Sequence, residues 1–194
     1  MTTGFLRPAN STTFHNTMHD MTQAKRVIVV PRNGYVNRMQ AWASAFILAN
    51  AWDAGLDVLW EREEIVAAEL NDLVRTKDLA GRCITAEELT DVLGVPHQSM
   101  DRYLTIDRER GTVFLAGHDR GEQAFMDQLH HALGDEPTIS TVVIVAGGKF
   151  CLPGTTDFAS KRRQFYLELP WVSPVSDDVA SLSDSMAAYL GLHI

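Results

Sequence analysis

The residues best placed to do chemistry run from Arg32 to Arg38: Arg-Asn-Gly-Tyr-Val-Asn-Arg. Two guanidinium groups flank a glycine, and each can pair in a bidentate way with a phosphate. Gly34 allows close backbone approach or a positive φ angle. Asn37 can cap a helix start, because its side-chain oxygen can accept an orphan backbone N–H. A helix that starts here turns unpaired N–H groups and the positive end of its dipole toward an anion. The chemistry this spacing suggests is phosphate binding. The same residues also suit any tight α/β turn with two solvated arginines, so the spacing leaves both readings open.

Such a site needs a strand to deliver the turn and a helix to receive it. Val27 to Val30 form a short β-branched run suited to a buried strand. Pro31 to Gly34 break the pattern with turn residues. Met39 to Trp52 contain neither Pro nor Gly, and Ala recurs, which favours helix. Trp42, Phe46 and Ala49 share one face of it, and Gly55 is placed to end it. Leu56 to Trp60 then read as a second strand. A strand, helix and strand in this order predict parallel pairing through a right-handed crossover.

A second unit of the same kind follows. Thr112 to Ala116 read as a strand, Asp119 to Leu133 as an amphipathic helix with Phe125, Leu129 and Ala132 inward, and Thr138 to Ala146 as a strand. The consecutive Val142, Val143, Ile144 and Val145 mark the last as a central parallel strand. It runs into Gly147-Gly148-Lys149, expected on the same sheet edge as Gly34. Lys149 there either meets an anion or faces solvent. Between the units, Glu63 to Leu73 read as a helix. Thr85-Ala86-Glu87-Glu88 form a capping box opening a helix that Gly94 ends. The fold expected is α/β: a Rossmann-like three-layer domain with a mainly parallel sheet.

Composition bounds the function. The 194 residues are 45% hydrophobic, enough for one well-cored domain. The net charge of −8 argues against general nucleic-acid binding, which needs a basic footprint. No apolar run is long enough to span a membrane. Cys83 and Cys151 do not make a disulfide framework and read as buried small hydrophobes in a reducing cytoplasm. His15 and His19 are four apart but lack a third ligand, and His118, His130 and His131 lack partner spacing, so no metal site is expected. His97 follows Pro96 in a loop with nothing nearby to make it a base. Asp72, Glu87 and Glu88 read as solvated carboxylates. Lys161, Arg162 and Arg163 read as a solvated helix face, and Trp171 as a packing residue.

Two stretches resemble a known family. Asn33-Gly34-Tyr35-Val36-Asn37-Arg38, the Ala-rich helix and the strand ending in Trp60 are similar to the opening of the fucosyltransferase-like glycosyltransferases. Asn33 and Val36 stand where that family has glycines. Tyr166-Leu167-Glu168-Leu169-Pro170, the run from Ser176 to Tyr189, and Leu190-Gly191-Leu192-His193-Ile194 resemble the family's approach to its second domain. The resemblance implies the N-terminal half of a two-domain enzyme that transfers fucose from GDP-fucose to a glycan acceptor without a bound metal or cofactor. Gly34, Asn37, Arg38 and His193 would then serve the donor, with Arg32 and Lys149 as accessories. Residues 1–24, rich in Thr, Ser and Asn, read as a loose tail, and the resemblance implies the Rossmann-like domain over 25–172 and a linker helix with the start of a second-domain strand over 173–194. A chain of this extent is expected to be silent alone and to self-associate through its interdomain face. The competing expectation is a non-catalytic carbohydrate- or partner-binding α/β domain.

Overall fold

The computed structural model describes residues 24–63, 66, 68–79, 81–100, 103–116, 127–129, 131, 133, 138–150 and 157–172. They form a six-stranded sheet with helices on both faces, so the chain is an α/β, Rossmann-like domain. The strands are β1 (Arg26–Pro31), β2 (Gly55–Val58), β3 (Arg82–Cys83), β4 (Leu104–Asp107), β5 (Thr112–Ala116) and β6 (Thr141–Ala146), in the order β3-β2-β1-β6-β5-β4. All neighbours are parallel except β4 and β5, a hairpin whose turn holds Gly111 at φ 58°. The helices are α1 (Tyr35–Ala51), α2 (Ala86–Leu93) and α3 (Phe158–Glu168).

The β-branched runs become the two central strands. Val27 pairs with Val142 and Pro31 with Ala146, and both runs are buried on both faces. Side chains alternate across a strand, so each strand divides between two cores. Val27, Val29, Val142 and Ile144 meet α1 and α3 on one face. Ile28, Val30, Val143 and Phe114 meet Leu89 and Leu93 of α2 on the other. The steps from β1 to β2 and from β5 to β6 both run toward the β3 edge. A right-handed crossover must then place both connecting helices on one face. Leu129 and Leu133 do lie in the same core as α1.

Several local expectations are corrected. The N-cap of α1 is Gly34, and Asn37 lies inside the first turn. The positive φ belongs to Asn33, at 67°, whereas Gly34 sits at −62°. The helix ends at Trp52 rather than Gly55: Asp53 takes a φ of 52°, and the Ala54 N–H donates to Ala49 O at 2.9 Å. Residues 63–73 form no continuous helix. Glu63 bridges Val66, and only a short 3-10 turn, Leu70–Asp72, follows. Trp60 draws this segment inward by donating its indole N–H to Ala68 O at 3.2 Å, so tertiary packing overrides the helical pattern. Cys83 is an exposed free thiol on the short edge strand rather than a buried one. The Thr85 capping box forms as expected, with Gly94 in the left-handed region at φ 74°. Lys161 and Arg163 are exposed. Trp171 packs, donating to Tyr166 O at 2.9 Å.

Candidate functional site

The two turns singled out by sequence meet at the carboxyl ends of β1 and β6. The Arg32 N–H donates to Ala146 O at 2.8 Å, and Asn33 Nδ2 donates to Gly147 O at 3.2 Å. The loop after β6 is fastened to α1 as well, since the Phe150 N–H donates to the Ser44 hydroxyl at 3.1 Å. Gly34, Gly148 and the start of α1 therefore share one edge of the sheet. A side chain built on either glycine would meet nothing within 4 Å, so both face open space. Lys149 belongs to the same loop.

The start of α1 is unfinished. Its N-cap has no side chain, and its first turn has no acidic residue. The ladder begins with the Arg38 N–H donating to Gly34 O at 3.1 Å, which leaves the N–H groups of Tyr35, Val36 and Asn37 outside it. The Asn37 side chain is half-buried and makes no hydrogen bond among the described residues. Val36 is exposed beside it.

The two arginines do different work from each other. Arg38 is 0% exposed. Its Nε donates to Asn33 O at 2.8 Å, and a second N–H donates to Glu61 O. Its remaining nitrogen pairs with Glu63 at 2.9 Å, and the guanidinium lies 5.4 Å over the Trp60 ring. Expected as a flanking phosphate ligand, Arg38 instead holds the turn from inside. A delocalised, weakly hydrated cation suits that position better than lysine would. Arg32 stays partly exposed and pairs with Glu61 at 2.7 Å and Glu63 at 2.5 Å. His193 lies outside the described residues.

Sequence reasoning missed three members of this group: Glu61, Glu63 and His97. His97 is only 4% exposed. Its Nε2 is 2.9 Å from an Arg32 nitrogen and 3.2 Å from the Glu61 carboxylate. Gln98 donates to the other Glu61 oxygen at 3.0 Å. The Glu61 pKa is lowered, first by its hydrogen bond to His97 and then by the charges of Arg32, His97 and Arg38, against an opposing push from burial. The available signal was positional. Glu61 and Glu63 follow β2 as Arg32 follows β1, and parallel neighbours bring such positions together.

This edge can offer an anion three helix N–H groups, a free amide side chain and open space at two glycines. Beneath it lies a charge-balanced cluster of two arginines and two glutamates around a buried imidazole. Among the described residues no group of three or more histidine, cysteine or acidic side chains is arranged to hold a metal. No described helix is long and apolar enough to cross a membrane. The fold and edge define an α/β domain with a helix-terminus crest over the central strands. No protein-family model matches the chain, and no curated protein or solved structure matches it either.

Proposed function

We propose that this chain supplies the N-terminal, Rossmann-like half of a cytoplasmic fucosyltransferase-like glycosyltransferase, acting on a GDP-sugar and a glycan acceptor. One observation carries the reading: the Gly34 turn delivers an uncapped helix to the carboxyl edge of the central strands, beside Gly148, with open space at both glycines. In open α/β sheets this is the edge where ligands bind. The three free N–H groups of α1 suit a diphosphate, and Asn37 suits a sugar or phosphate oxygen. Arg38 serves this site as a positioning residue. It fixes the backbone of Asn33 and Glu61 and so sets the shape of the turn.

Because Arg38 is buried, its removal tests folding before binding. The sharper variant is Gly34→Asp. The backbone at this position, φ −62° and ψ 164°, already suits an N-cap, and the new carboxylate has room. It would accept the orphan N–H groups and place negative charge where the diphosphate belongs. The experiment is calorimetric titration with GDP and GDP-fucose, run on the wild type and Gly34→Asp. We expect binding by the wild type and its loss in a variant that unfolds no earlier in urea. Absence of binding by the wild type, or equal binding by the variant, would overturn the assignment.

A further inference from the structure

The cluster beneath the crest contains a hydrogen-bond conflict that no neutral form of His97 resolves. Arginine only donates. The Arg32 nitrogen 2.9 Å from Nε2 therefore requires a lone pair there, and Nδ1 must then carry the ring proton. Nδ1 is buried and has no partner among the described residues. Moving the proton to Nε2 satisfies the Glu61 carboxylate at 3.2 Å but sets an N–H against the Arg32 nitrogen. One tautomer orphans a buried donor, and the other opposes two donors. Either arrangement leaves a buried polar group without a partner or facing a repulsive one.

A second proton leaves Nδ1 an unpartnered donor among the described residues but decides which Nε2 contact wins. Doubly protonated His97 must donate from Nε2, and Glu61 is the acceptor within reach. The imidazolium and the Arg32 guanidinium then carry like charge at hydrogen-bond distance. The charged groups touching the ring among the described residues are Arg32, from the end of β1, and Glu61, from the segment after β2. Glu63 and the buried Arg38 stand behind them through the Arg32–Glu63 and Arg38–Glu63 pairs. Neutral His97 leaves the two arginines and two glutamates balanced. Its protonation gives the cluster one excess positive charge. Arg32 is the member able to move, since it is partly exposed while Arg38 is wholly enclosed.

We propose that His97 and Glu61 form a proton-operated latch on Arg32: protonation of His97 draws Glu61 to the imidazole and turns the Arg32 guanidinium away from the ring. Arg32 is two residues from Gly34, at the edge where α1 starts, and its pairing there falls from two carboxylates to Glu63 alone. Protonation of His97 thereby strengthens anion binding at the crest. That consequence rests on the function proposed above, whereas the latch itself does not. Histidine suits such a role because its ring nitrogens can each donate or accept.

The test is a nuclear magnetic resonance titration of the His97 ring and the Arg32 side-chain nitrogens, with pyrophosphate calorimetry on the same samples. His97→Gln provides a partner that stays neutral, able to accept from Arg32 and donate to Glu61 at every pH. We expect the Arg32 signals to shift with the midpoint of His97 in the wild type and to stay flat in His97→Gln. We also expect acidification to raise pyrophosphate affinity roughly fivefold more in the wild type than in His97→Gln. That ratio cancels the titration of pyrophosphate itself. Arg32 signals indifferent to His97 protonation, or a ring that takes no proton while the fold persists, would overturn the latch. Coupled titration with no pyrophosphate binding at any pH would leave the latch standing and overturn the anion site.

Discussion

Two helices start at this sheet, and they start in opposite ways. The N-terminus of α2 satisfies itself. Thr85 accepts from the Glu88 N–H at 3.1 Å, and Glu88 accepts from the Thr85 N–H at 2.8 Å. Glu87 and Glu88 add negative charge where the dipole is positive. The N-terminus of α1 has none of these devices, although α1 is the longer helix, at 17 residues against 8. It begins at a glycine, has no acid in its first turn, and is held from beneath by a buried arginine. A chain that can write a capping box at one helix has left the other open. The open one stands over the central strands, and the closed one follows the short edge strand β3.

The largest effect should come from breaking what holds α1. Arg38→Ala removes the buried side chain that joins Asn33 O, Glu61 O and Glu63, and it leaves Glu63 to Arg32 alone. Two hydrogen bonds from a charged donor to backbone carbonyls go with it, each worth about 1.5–3 kcal/mol. Urea unfolding should show that loss, and Arg38→Lys should recover only part of it. A lysine has one charged nitrogen for three separate acceptors. An Arg38→Ala protein as stable as the wild type would mean that the turn is held by its backbone alone.

The next effect contrasts the two caps directly. Thr85→Ala should cost about 1 kcal/mol, the usual worth of a side-chain N-cap. Gly34→Ala should change stability by only a few tenths of a kcal/mol, because Ala's poorer capping is offset by the lower entropy of its unfolded chain, and the new methyl enters open space at an ordinary φ. Thermal or urea unfolding of the two variants side by side measures the difference. Equal losses would show that Gly34 is required by the fold, and the open cap would lose its meaning as a place for a ligand.

Most of the frame was legible because its signals are local. Val27 to Val30 and Val142 to Val145 are β-branched runs, and runs of that kind are stable only where both faces are covered. The Thr85 to Glu88 box is written in four adjacent residues. The short strand β4 carried no such signal: Leu104 to Asp107 alternate polar and apolar at the sheet edge and are only half-buried. The polar cluster was legible only in part. Arg32 and Arg38 stood out by type, but their partners are distant in sequence: Glu63 lies 31 residues from Arg32, and His97 lies 65 from it. Nothing around His97 betrays that the register of β1 with β2 brings Glu61 to its ring. Sequence placed Arg38 at the right turn but could not say which way it points. A guanidinium at a helix start serves a ligand or the fold according to whether acceptors approach it from below, and those acceptors are supplied by the segment after β2.

The smallest effect concerns the first residue of α1 and has the opposite sign. The Tyr35 hydroxyl is buried without a hydrogen-bond partner among the described residues, while its ring meets Trp60 edge to face at 5.8 Å. Burial, with the Asp72 charge adding to it, pushes the phenol pKa up to about 12. An unfolded tyrosine ionises near pH 10, roughly two units lower. High pH therefore favours the unfolded chain through this residue. Its contribution to stability is complete below about pH 10 and is lost as the pH rises through the folded value. Tyr35→Phe keeps the ring contact and removes the unpaired hydroxyl. It should gain up to about 1 kcal/mol at neutral pH, since a buried donor without a partner is destabilising. It should also flatten the fall in stability above pH 10. Urea unfolding across that range checks both parts. A Tyr35→Phe chain that is less stable at neutral pH would show that the hydroxyl has found an acceptor, and the start of α1 would then be better satisfied than its comparison with α2 implies.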